Sequence, residues 1–165
     1  ARQYFKLPDD PARLAVVIGD GADYMMADGR AFDYILVDGF DADARAGVLD
    51  TLPFYQACRS RLSENGLLCV NLLGRSKGFA ASVARLHEAF AGRCAVFPPC
   101  DSGNTIAFAT GGTPVAPTLD AMQEKALQLK KTTRLDLPTL ARLREQGAAP
   151  GQSIAPLGPG GIIKI

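Results

Sequence analysis

At 165 residues the chain has room for one domain around one main hydrophobic core, and its 47% hydrophobic content is ordinary for a globular protein. Its 18 basic and 17 acidic residues leave a net charge of +1, so charge gives no reason to expect a nucleic acid or an anionic membrane as partner. No apolar run approaches the ~20 residues that span a bilayer, and the opening ARQYFK lacks the pattern of a signal peptide; a cytoplasmic location is expected.

Short apolar runs alternate with amphipathic stretches, the pattern of a parallel sheet flanked by helices. The predicted class is α/β, a partial doubly wound sheet that is mostly parallel. Strands are predicted over residues 14–18, 34–37 and 67–73, each rich in Val, Ile or Leu as strands covered on both faces are. A short helix over 22–27 follows the first. A second helix over 53–62 repeats apolar residues every three or four positions at Phe54, Tyr55, Cys58 and Leu62, with Pro53 tolerated in its first turn. Residues 63–66, Ser-Glu-Asn-Gly, are predicted to break that helix and turn into the third strand.

A further helix over 78–90 carries Phe79, Val83, Leu86 and Phe90 on one face. Residues 93–97 and 105–110 read as two strands whose linker is too short for a crossover helix, which makes them an antiparallel hairpin. Parallel strands closed by such a hairpin resemble the ending of class I S-adenosylmethionine-dependent methyltransferases. Residues 1–112 are taken as this unit. Residues 113–165 hold a linker, predicted helices over 119–131 and 138–146, and an irregular tail from 147 rich in Gly and Pro.

Two motifs of a doubly wound cofactor fold are missing from the sequence: a first strand with a Gly-rich turn, and a second strand ending in an acidic residue. Residues 1–5 read as the end of a helix, so the central strands are expected to precede residue 1. Little turnover is then expected from these 165 residues alone. The same reading leaves unpaired edges at 14–18 and 34–37, from which association with another chain, and a homo-oligomer, are expected.

Two constellations sit at strand ends, where open α/β sheets bind ligands. Gly19, Asp20, Gly21 and Ala22 follow the first strand; Asp20 there either reads a ligand amine or caps the helix that begins beside it. Asp38, Gly39, Phe40 and Asp41 follow the next. Paired carboxylates at a strand exit can hold a cationic amine and take its proton, Gly39 permits a close backbone approach, and Phe40 offers an apolar wall. The competing reading is a turn rich in Asp and Gly. Asp43 and Asp50 read as solvated charges nearby. His87, the single histidine, lies on a predicted helix away from every strand end, and no metal site is expected. Cys58, Cys69, Cys94 and Cys100 are widely spaced and read as reduced thiols.

Over residues 1–112 the chain resembles the spermidine synthase family, the polyamine aminopropyltransferases. Residues 1–5 resemble the helix end after that family's ribose-binding acid, and residues 18–22 its adenine-binding turn. Phe32, Asp33, Tyr34, Ile35, Leu36, Val37 and Asp38, followed by Asp41, resemble its catalytic strand. Leu52, Phe54 and Tyr55 resemble the helix after its gatekeeping loop, and Leu62, Asn65, Gly66, Leu67 and Leu68 the turn into the following strand. Ser102, Gly103 and Phe108 fall where its edge hairpin returns.

The resemblance implies aminopropyl transfer from decarboxylated S-adenosylmethionine to a small polyamine, without a metal. It makes Asp38 the base, with Asp41 as its catalytic partner. It places Asp20, Gly21, Ala22, Asp38 and Gly39 against the cofactor, and Asp41 and Tyr55 against the amine. The chain departs from the family pattern where Ala42 stands for a proline, Cys100 for a tyrosine and Leu73 for an acid, although Asn71 keeps an amide close by. The alternatives are a methyltransferase using S-adenosylmethionine, and a non-catalytic nucleoside-binding or interaction module on the same fold.

Overall fold

The structure is a computed structural model that describes residues 2–41, 45–96, 102–112 and 119–135. In chain order the described elements are α1 (Arg2–Phe5), α2 (Gly21–Met26), β1 (Phe32–Val37), a 3-10 turn (Gly47–Asp50), α3 (Leu52–Ser60), β2 (Leu62–Leu73), α4 (Phe79–Ala89), β3 (Cys94–Val96), β4 (Asn104–Thr110) and α5 (Leu119–Thr133).

The class is α/β, as the alternation of runs predicts. Four strands form one sheet in the order β1-β2-β4-β3. The β1–β2 pair is parallel, with Tyr34 opposite Leu67 and Val37 opposite Val70. The other two pairs are antiparallel: Leu73 stands opposite Asn104 and Val96 opposite Ala107. The predicted hairpin is therefore present, and its second strand is the one that joins β2.

Strand periodicity decides which face is covered. Ile35, Leu68, Val70, Leu72, Val96, Ala107 and Ala109 point one way and are buried, forming a core with Phe54, Tyr55 and Cys58 of α3 and Val83, Leu86 and Phe90 nearby. On the other face Tyr34 is 71% and Leu36 76% exposed. The sequence expectation that these strands are covered on both faces is thus corrected: the described residues cover one.

Two further expectations differ from the structure. Residues 14–18 form no helix or strand and join no ladder among the described residues, and Ile18 is 94% exposed; without a strand hydrogen-bonded beside them, apolar character alone does not make a strand. Residues 63–66 do not turn the chain but lie inside β2. Helix α3 ends at Ser60, the Arg61 N–H bonds back to the Ala57 and Cys58 carbonyls, and the strand begins one residue later. The pairing slips between Phe32 and Tyr34, where residues 63–66 stand against Asp33 alone, so three extra residues are taken up as an irregularity against β1. Gly66 is required there, because a Cβ would stand 2.9 Å from the Phe32 carbonyl oxygen.

Helix α3 starts where local chemistry says it should. Thr51 accepts a hydrogen bond from the Phe54 N–H at 3.4 Å, and Pro53 sits in the first turn, where its missing N–H costs nothing. Helix α5 covers the predicted 119–131 and runs two residues further. The predicted linker from 113, the helix over 138–146, the tail from 147 and Cys100 lie outside the described residues. Cys58, Cys69 and Cys94 are free thiols in α3, β2 and β3, and no helix among the described residues is long and apolar enough to cross a membrane.

Candidate strand-end site

The carboxyl end of β1 and the turn before α2 meet at one edge of the domain. Asp20 is the N-cap of α2. Its Oδ1 accepts from the Ala22 N–H at 2.7 Å and from the Asp23 N–H at 3.2 Å, so the capping reading is realised. Both bonds fall on one oxygen, and Oδ2 takes no part in the cap. A carboxylate locked in this way can still present its second oxygen to a ligand donor, so the two readings of Asp20 are compatible. Asp20, Gly19 and Gly21 line an open cleft of about 490 Å³ together with Ala15, Val17 and Tyr24. Ala22 is buried beneath it.

Asp38 leaves the end of β1 exposed to solvent, and its Oδ1 accepts from the Asn71 amide at 3.0 Å. The parallel register makes this contact: Val37 lies opposite Val70, so the next residues are neighbours across the strands. The Asn71 side-chain Oδ1 is buried and has no hydrogen-bond partner among the described residues.

Asp41 pairs with Arg45. Its carboxylate accepts from the Arg45 N–H at 2.8 Å and from Arg45 Nε at 3.3 Å, while its own N–H donates to the Arg45 carbonyl at 2.9 Å. The ion pair is half exposed, with side chains at 49% and 69%, the kind that contributes at most about 1 kcal/mol. Asp41 therefore closes its own loop.

Gly39 approaches a side chain of this protein: a Cβ there would stand 2.6 Å from Leu49 Cδ1. Tyr55 is fully buried in the core, and its hydroxyl donates to Asp50 at 2.8 Å. Burial and the Asp50 charge raise the phenol well above its ordinary pKa. Its hydroxyl is thus satisfied by Asp50, through which any effect on a ligand would pass. Asp50, expected to be a solvated charge, also binds Ser82 and Arg85 and is largely buried. Nothing in the local sequence distinguishes it from Asp43, because two of its three partners lie on α4. No group of three or more His, Cys, Asp or Glu fit to hold a metal occurs among the described residues, and His87 sits in the last turn of α4.

Residues 3–76 match the family model of the spermine/spermidine synthase domain. Through this segment the chain is similar to the spermine/spermidine synthase family. A polyamine aminopropyltransferase of Neisseria meningitidis serogroup A is 31% identical over 136 residues, which cover 82% of this chain and 52% of the relative. The chain spans about half the length of the curated relatives it matches at this level. Among solved structures, a spermidine synthase in complex with the transition-state analogue AdoDATO is 31% identical with a TM-score of 0.55, covering 65% of this chain and 39% of that one. Human methyltransferase-like protein 13 in complex with SAH superposes with a TM-score of 0.68 at 23% identity, over 81% of this chain and 64% of that one, and shares the fold. The methyltransferase-like fold expected from the hairpin is thus shared.

Proposed function

We propose that this chain forms the strand-end part of an aminopropyl transfer site for a polyamine acceptor. The observation that carries the reading is the placement of Asp20 and Asp38 on adjacent turns at one edge of the sheet, bridged by the Leu49 side chain, in a chain similar to this family. Decarboxylated S-adenosylmethionine would supply the aminopropyl group and a sulfonium leaving group. The residues present suit such a molecule: Asp20 Oδ2, free of the cap, accepts from the adenine amino group, and the Gly21 and Ala22 backbone lies beside the base.

Asp38 holds the acceptor amine and takes its proton. The nitrogen lone pair forms the new N–C bond as the C–S bond breaks, the bonding pair passes to sulfur, and methylthioadenosine leaves neutral. Asp38 removes the proton that the new secondary ammonium would otherwise keep, which is general base catalysis by a carboxylate held within hydrogen-bond reach. The Asn71 amide fixes the carboxylate for this task. In this reading Asp41 meets the amine only when it exchanges Arg45 for it, and Gly39 lets the loop pass Leu49 beside the cofactor.

A second reading rests on the same ion pair. With Asp41 engaged by Arg45 and Leu73 in place of an acid, a nucleoside-binding module without transfer activity is the alternative. A methyltransferase using S-adenosylmethionine has the fold alone in its favour.

Calorimetric titration with methylthioadenosine, followed by product analysis with each cofactor and a panel of diamines, separates the three. Binding with transfer of an aminopropyl group supports the proposal. Binding without transfer supports the module, transfer of a methyl group the methyltransferase, and no binding removes the nucleoside reading altogether.

A further inference from the structure

Asp50 ends the 3-10 turn that leads from the loop after β1 into α3, and its carboxylate joins three elements. Oδ1 accepts from the Tyr55 hydroxyl of α3 at 2.8 Å. Oδ2 accepts from the Ser82 hydroxyl at 2.6 Å and from Arg85 Nη2 at 2.5 Å, both on α4. The Asp50 and Arg85 side chains are 20% and 32% exposed, so this is a partly desolvated pair. It is also incompletely satisfied, since Arg85 Nε is buried with no hydrogen-bond partner among the described residues.

Apolar residues of similar volume commonly hold two helices together as well as a desolvated ion pair does, so packing alone does not account for this cluster. What the cluster fixes in direction is the turn, and the residue before Asp50 is Leu49. A Cβ on Gly39 would stand 2.6 Å from Leu49 Cδ1, and a Cβ on Gly21 would stand 3.7 Å from Leu49 Cδ2. These glycines belong to the turns that carry Asp38 and Asp20. One side chain therefore touches both strand-end turns, and its backbone is tied to α3 and α4 by the neighbouring carboxylate.

We propose that Asp50 is a positioning residue whose three-way carboxylate clamp holds Leu49 as a wedge between Gly21 and Gly39, setting the spacing of the Asp20 and Asp38 turns. The geometry stands on the contacts above; the consequence for ligand affinity rests on the nucleoside reading of the site. Tyr55 acts in the same device, one bond further from the cleft.

The test uses the 165-residue chain with two readouts, amide hydrogen exchange without ligand and calorimetric affinity for methylthioadenosine. Asp50→Ala is expected to speed exchange at residues 19–22 and 38–40 by about tenfold, as local opening becomes easier. It is expected to weaken methylthioadenosine by about tenfold, since small displacements of positioned groups are costly. Leu49→Ala, which leaves the clamp intact, is expected to reproduce both effects, and the double variant to add little, because both act through one contact. Should Asp50→Ala fail to fold, Leu49→Ala and Arg85→Met carry the same comparison. A lower melting temperature with unchanged exchange at both turns would overturn the proposal and leave the cluster a structural tie. Faster exchange in a protein that never binds methylthioadenosine would uphold the clamp and defeat the nucleoside reading.

Discussion

Asn71 of β2 donates its amide to Asp38 Oδ1 at 3.0 Å, across the parallel pair in which Val70 faces Val37. Strand register rather than loop conformation thus aims the carboxylate proposed as base. In a form of the protein that turns over, Asp38→Asn is expected to lower aminopropyl transfer by about 10²–10⁴-fold, the usual contribution of a positioned base. Methylthioadenosine affinity is expected to change far less. Steady-state kinetics beside calorimetry check this, and equal losses in both would make Asp38 a binding group only.

Asp20 has two tasks that one pair of variants separates. Asp20→Ala removes the cap of α2 and is expected to cost about 1 kcal/mol as well as nucleoside binding. Asp20→Asn keeps a good cap, so its stability is expected to stay within a few tenths of a kcal/mol, or about 0.3. Its amide nitrogen no longer accepts from an adenine amino group. Urea denaturation and calorimetry on both variants decide; wild-type affinity in Asp20→Asn would show that the charge is not read.

Arg61 is 7% exposed and serves as the hub beneath α2. Its guanidinium donates to the Tyr24, Ala27 and Arg30 carbonyls and lies 5.0 Å from the Tyr24 ring centroid and 4.9 Å from that of Phe32. Arg61→Met is expected to lose about 1–3 kcal/mol, because the part-buried bonds to these carbonyls lose their donor. Arg61→Lys is expected to fall short of rescue, since an ammonium lacks the planar fork. A loss below about 1 kcal/mol in denaturant would mean that water replaces the guanidinium.

Burial pushes the Cys58 thiol from its ordinary 9.0 up to about 12, against a weaker downward pull from Arg61, and raises Cys94 to about 11. The native state therefore holds these protons more tightly than the unfolded chain. The stability so gained is whole below about pH 9 and is lost as pH rises from 9 toward 12. Denaturation between about pH 7 and pH 10.5 is expected to show falling stability from about pH 9, less steeply in Cys58→Ala. A flat profile would show that Cys58 reaches solvent.

β1 is an edge strand of the described sheet, and Tyr34 and Leu36 are exposed on its uncovered face. Edges of this kind pair with other chains unless a charge interrupts them. Light scattering is expected to give a mass above 17.4 kDa that rises with concentration, and Leu36→Lys is expected to lower it. A monodisperse 17.4 kDa species in the wild type would remove this expectation.

Local chemistry made much of the chain legible. The spacing of Phe54, Tyr55 and Cys58 announces α3, Thr51 and Pro53 announce its start, and an apolar run ending in Asp38 announces β1. Aspartate before a helix announces a cap, and Asp20 is one. These signals act over three or four residues, within the reach of one helical turn or one strand alternation.

What escaped the sequence depends on partners far away in it. Residues 63–66 carry turn residues yet lie in β2, because pairing with β1 absorbs them, and residues 14–18 carry strand residues yet join no described ladder. Asp50 looks like any surface aspartate until the fold brings it to Ser82 and Arg85, 32 and 35 residues away. Tyr55 sits at the predicted place in α3, but its neighbours turn it into the core and onto Asp50. The sequence by itself determined the helices α3 and α4, the strand β1 and the family resemblance, since each is written in adjacent residues. Tertiary structure alone decided which carboxylate stays exposed and which is clamped, because burial and hydrogen-bond partners are properties of packed elements.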